Sequence, residues 1–146
     1  MILIIDDDIA VRASLLLLLN DGGFDALGCA GPVEAMKLIK KQEPELIILD
    51  LNFSNDTSGK EGMELLNKIK QGNPALPIIL ITGWASIELA VQGMKAGAND
   101  FINKPWSNEH LLQSVKTLLE LRGKKTQAQT RKQLDKTYNF QQIIGE

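Results

Sequence analysis

Leu46-Ile47-Ile48-Leu49-Asp50 is a run of four apolar residues closed by a carboxylate. A strand solvated on one face alternates apolar and polar side chains, so an unbroken run predicts a strand buried on both faces. Both faces are covered when helices pack above and below a parallel sheet. Ile2-Leu3-Ile4-Ile5 and Ile78-Ile79-Leu80-Ile81 repeat the pattern. Ligands of open parallel sheets bind beyond the carboxyl ends of the strands, which is where Asp50 falls.

The segments between these runs have helical spacing. Val11, Leu15 and Leu18 predict a helix from about Ile9 to Asn20, and the leucine run Leu15 to Leu19 predicts that it is apolar nearly all round and well buried. Asp21-Gly22-Gly23 ends it, glycine supplying a left-handed cap. A weaker strand is expected from Phe24 to Cys29. Gly31-Pro32 opens a second helix with Val33, Met36 and Ile39 facing inward. A third is expected from about Gly62 to Gln71, with Met63, Leu66 and Ile69 inward, before Gly72-Asn73-Pro74 breaks it. A fourth runs from about Ser86 to Ala96, with Ile87, Val91 and Met94 on one face, and is stopped by Gly97. Asp100-Phe101-Ile102-Asn103 is a last short strand. Ser107 caps a fifth helix carrying Leu111, Leu112, Val115, Leu118 and Leu119. Alternation of this kind predicts right-handed crossovers and a three-layer α/β sandwich around a parallel five-stranded sheet.

Composition narrows the function. A chain of 146 residues with 44% hydrophobic and 23% charged residues suits one globular domain with a tail. Its net charge of -2 argues against a nucleic-acid module, which needs a basic excess. Cys29 is the one cysteine, so an intrachain disulfide is excluded and a cytoplasmic setting is expected. No apolar run reaches the roughly 18 residues of a membrane span, and the opening Met1-Ile2-Leu3-Ile4-Ile5 does not read as a secretory leader.

The strand ends deliver Asp6 and Asp7, then Asp50, Thr82 and Lys104 to one edge. Three carboxylates in one crevice repel each other, so a cation must sit among them or some must stay protonated. An all-oxygen set that leaves room for water and a phosphate oxygen suits Mg²⁺, whereas zinc would want His or Cys. Lys104 adds a positive charge and Thr82 a hydroxyl donor. An aspartate so surrounded is equipped to attack a phosphoryl group and hold the acyl phosphate.

In that order at the strand ends, Asp6-Asp7, Asp50, Thr82 and Lys104-Pro105 resemble the receiver domain of bacterial two-component response regulators, over residues 1–122. The resemblance implies the flavodoxin-like strand order 2-1-3-4-5. It implies that Asp50 accepts a phosphoryl group from a sensor histidine kinase, assisting its own phosphorylation and dephosphorylation rather than acting as an enzyme. Asp6, Asp7, Asp50 and the backbone carbonyl of Asn52 would hold Mg²⁺. Thr82 and Lys104 would contact phosphoryl oxygens, and Phe101 would swing inward with Thr82. That motion would reshape the face made by the fourth helix, last strand and fifth helix, a surface for a homodimer. A cis Lys104-Pro105 bond is also implied. The loop from Asn52 to Glu61 is longer than the family's and lacks its Met-Pro pair. Residues 123–139 read as a linker or an extension of the fifth helix. Residues 140–146, with Tyr138 and Asn139 before them, resemble the start of the AAA+ domain of σ54-dependent, NtrC-type activators. This implies a longer transcription regulator that meets DNA only through domains absent here.

Other readings fare less well. A haloacid-dehalogenase-like phosphatase needs a second carboxylate two residues after the nucleophile, and that residue is Asn52. A flavin-mononucleotide carrier needs a phosphate loop after the first strand, where Asp6-Asp7-Asp8 would repel phosphate. A stand-alone or degenerate receiver acting by protein contact alone has no need of the intact acidic pair, Thr82 and Lys104. His110 is expected at the surface, Cys29 as an inert buried thiol, Trp84 and Trp106 in packing, and Arg122 to Lys136 as a solvated basic stretch.

Overall fold

The structure, a computed structural model, describes residues 1–51, 60–83 and 87–122. Strands and helices alternate: β1 (Ile2–Ile5), α1 (Ile9–Asp21), β2 (Ala26–Cys29), α2 (Pro32–Lys41), β3 (Leu46–Asp50), α3 (Lys60–Gly72), β4 (Ile78–Thr82), α4 (Ile87–Lys95) and β5 (Asp100–Asn103). A fifth helix, α5, occupies 108–122. The strands form one parallel sheet in the order β2-β1-β3-β4-β5, the flavodoxin-like order. Connections turn in opposite directions on either side of β1 and β3, which leaves a crevice at their carboxyl ends.

Period-two alternation divides each central strand between two cores. Leu3, Ile5, Ile47, Leu49, Ile78 and Leu80 face α2, α3 and α4, meeting Ala35, Leu65, Leu66 and Ile69. Ile2, Ile4, Leu46, Ile48, Ile79 and Ile81 meet Leu15 and Leu19 of α1 and Leu111 and Val115 of α5. Every residue of β1, β3 and β4 is buried, as the unbroken apolar runs require.

Two glycines let helices approach the sheet closely. A Cβ at Gly62 would run into the backbone of Leu51, and one at Gly93 into the Leu80 side chain. The close seating of α4 corrects the expected inner face: Ala90 and Gly93 are buried, while Val91 and Met94 are exposed. Val33 is likewise 72% exposed, Ala35 taking the buried place in α2. In α1 only Leu15 and Leu19 are fully buried, and Leu17 is 65% exposed, because one sheet face covers one stripe of the helix. β2 begins at Ala26 rather than Phe24, since the Phe24 N–H still closes the end of α1 on the Leu19 carbonyl (2.9 Å). The left-handed residue there is Gly23 (φ 90°), one past the helix cap Gly22. Asn52, Trp84 and the readings on 123–146 lie outside the described residues.

Candidate functional site

Asp6 is the first residue past β1 and Asp50 the last of β3, so neighbouring strands bring two carboxylates side by side. Asp6 is 1% and Asp50 4% exposed, while Asp7 faces solvent. One carboxylate oxygen from each of Asp6, Asp7 and Asp50 lies within 4.8 Å of the others. Lys104, just past β5, places Nζ 3.2 Å from Asp50 Oδ2 and 3.7 Å from Asp6 Oδ2. Its backbone N–H donates to the Thr82 carbonyl at 2.8 Å, and its bond to Pro105 is cis.

The electrostatics are those of an unfinished cluster. Asp6 Oδ1 accepts the Asp8 N–H at 2.9 Å, but its buried Oδ2 has no hydrogen-bond donor. Burial pushes the Asp6 carboxyl up from 3.8 to about 7, with the Asp50 carboxylate adding to the rise against the opposing pull of the Asp8 N–H and Lys104. A buried acceptor without a donor, beside two further carboxylates, fits an oxygen-seeking divalent cation such as Mg²⁺. The donor set contains no imidazole or thiolate, so zinc is disfavoured.

Thr82 ends β4 fully buried, its hydroxyl donating to the Gly83 carbonyl at 3.3 Å. By alternation from Leu80 it points to the α4 side of the sheet, as does Phe101 of β5, which is half-buried against that core. Asp6, Asp7, Asp50, Thr82 and Lys104 thus share one sheet edge. Sequence reasoning missed two neighbours. Asn103 pairs in register with Thr82 and carries a buried Oδ1 without a hydrogen-bond partner. Arg12 reaches back from α1 to the Asp6 carbonyl, a contact that its position one turn into a helix does not announce. Asp8 caps α1, accepting from Ala10 N at 2.9 Å and Val11 N at 3.4 Å. Elsewhere His110 is exposed, Trp106 packs against the α1–α5 core, and Cys29 is buried.

Comparison with known proteins agrees with this geometry. Residues 2–116 match the response regulator receiver domain family. The nitrogen assimilation regulatory protein NtrX of Azorhizobium caulinodans is 33% identical over 139 residues, 95% of this chain and 30% of that protein. The C4-dicarboxylate transport transcriptional regulatory protein DctD of Pseudomonas aeruginosa is 36% identical over 121 residues, 83% of this chain and 25% of that protein. The chain therefore spans less than a third of the length of these relatives. The crystal structure of the receiver domain of NtrX from Brucella abortus superposes with a TM-score of 0.77 at 32% identity, covering 82% of this chain and 98% of that one. With the fold, the strand-end cluster and the sequence match in agreement, the chain belongs to the response regulator receiver domain family.

Proposed function

We propose that residues 1–122 form a phosphorylation switch in which Asp50 accepts a phosphoryl group from a sensor histidine kinase. The observation that carries this reading is the Lys104 ammonium 3.2 Å from Asp50 and 3.7 Å from Asp6, with three carboxylates converging on one crevice. An Asp50 carboxylate oxygen attacks phosphorus, the bond from phosphorus to the kinase imidazole nitrogen breaks, and an acyl phosphate forms. Lys104 shifts from its carboxylate partners to a phosphoryl oxygen, and the Thr82 hydroxyl turns from Gly83 to donate to another. Asp6, Asp7 and Asp50, with the Asn52 carbonyl, would hold Mg²⁺, which neutralises charge on the transferring group. Phe101 shares the α4 side of the sheet with Thr82, so a shift of Thr82 towards the phosphoryl group opens space into which the ring moves.

The output surface in this reading is α4, β5 and α5, where Val91, Met94 and Leu121 stand exposed and a homodimer would form. Residues 123–139 act as a linker or α5 extension, and 140–146 begin an AAA+ domain of a σ54-dependent activator working in the cytoplasm. DNA is met through parts of the protein beyond this chain. No described helix is long and apolar enough to cross a membrane. Incubation with Mg²⁺ and acetyl phosphate, followed by intact-mass measurement, tests the core of the reading. One phosphoryl adduct is expected on wild type and none on Asp50→Ala; an equal adduct on both would overturn it.

A further inference from the structure

We propose that Arg12 is a positioning residue for the cation site, holding the Asp6–Asp7 peptide so that the two carboxylates converge on Asp50. The proposal rests on reading Asp6, Asp7 and Asp50 as Mg²⁺ ligands. Arg12 Nη1 donates to the backbone carbonyl of Asp6 at 2.7 Å. The carboxylate of Asp6 is ion-paired to Lys104, so the two cations divide the work. Lys104 balances charge, and Arg12 fixes backbone.

The remaining contacts explain why that carbonyl matters. The Asp6 N–H donates to the Cys29 carbonyl at 3.1 Å, and the Asp8 N–H donates to Asp6 Oδ1 at 2.9 Å. The peptide between Asp6 and Asp7 is thus approached from both flanks, and the Arg12 guanidinium anchors its oxygen. Exposed Asp7 inherits its direction from that peptide plane. A ligand that faces solvent, next to two acids that repel it, turns away unless its backbone is held.

A second feature serves the same contact. The half-buried Arg12 stem passes β2 at Gly28, where a Cβ would lie 3.3 Å from Arg12 Cδ and 3.8 Å from Arg12 Cβ. Gly28 leaves the room that lets the guanidinium reach Asp6. The site accordingly has a lever that moves Arg12 without changing its charge.

That lever separates positioning from electrostatics. A guanidinium near a cation site repels Mg²⁺, so if charge alone mattered, Arg12→Met would bind Mg²⁺ more tightly and Gly28→Ala would bind it unchanged. Positioning predicts the reverse. By calorimetric titration with Mg²⁺, Arg12→Met raises the dissociation constant roughly tenfold, and Gly28→Ala raises it in the same direction. A metal-free readout accompanies these: amide hydrogen exchange at Asp7 and Asp8 accelerates in both variants while exchange in β3 and β4 stays at the wild-type level. Wild-type Mg²⁺ affinity in both variants, or unchanged exchange at Asp7 and Asp8, would overturn the positioning role and leave the cation reading standing. Absence of Mg²⁺ binding by the wild-type chain would overturn both.

Discussion

Burial of Asp6 sets the pH behaviour of the strand-end cluster. Its carboxyl titrates at about 7 when folded against 3.8 for the ordinary group, so between those values the folded state holds a proton that the unfolded chain has lost. The stability contributed by this group is complete below the lower value and is lost as pH rises through the upper one. Metal-free protein is therefore expected to weaken in urea as pH goes from about 4 to 7, and Asp6→Asn flattens that profile. Mg²⁺ competes with the same proton, so its apparent dissociation constant rises by up to roughly tenfold per pH unit below 7, as titration at several pH values would record. At Cys29 burial, with Glu34 adding to it, pushes the thiol up to about 11. Iodoacetamide at neutral pH is expected to leave it unmodified until the chain unfolds.

Among the elements, α3 and its neighbours depend on contacts whose partners are far apart in the chain. Gly62 lies against the Leu51 backbone just past Asp50, so Gly62→Ala must push α3 away from the end of β3. The expected cost is about 1–3 kcal/mol, read from urea unfolding. At the other end of α3, Lys70 Nζ donates to the Leu76 carbonyl at 2.7 Å and to Asn99 Oδ1 at 3.2 Å. Asn99 Oδ1 also accepts the Ile78 N–H at 3.0 Å, joining α3 to the starts of β4 and β5. Lys70→Met keeps the stem that packs on Gly97 but removes these donors, and is expected to cost about 1–3 kcal/mol. Helix α5 is fastened at its far end, where Arg122 donates to the Glu45 carbonyl at 2.8 Å.

At the scale of the molecule, two cores share one sheet, so damage to either face should unfold both together. Leu15→Ala on the α1 side is expected to cost about 2–5 kcal/mol in a single transition, seen alike by circular dichroism and tryptophan fluorescence. Much of this architecture was legible beforehand. Unbroken apolar runs at Ile2–Ile5, Leu46–Leu49 and Ile78–Ile81 specify strands buried on both faces, because no one-sided sheet would tolerate them. Polar residues closing those runs named Asp6, Asp50 and Thr82, since ligands of open parallel sheets bind beyond the carboxyl ends of the strands. Helix faces were less legible: Val33, Val91 and Met94 have core-like spacing yet stand exposed, as small Ala35, Ala90 and Gly93 let the backbone itself approach the sheet. What the order of residues determined by itself is which segments are strands and which polar groups sit at their ends, both local consequences of hydrophobic periodicity. Only the tertiary structure decided that Lys104 bridges Asp6 and Asp50, that Asp6 Oδ2 is buried without a donor, and that Arg12 grips the Asp6 carbonyl past Gly28. Those are distances between side chains brought together by packing, and no spacing along a chain contains them.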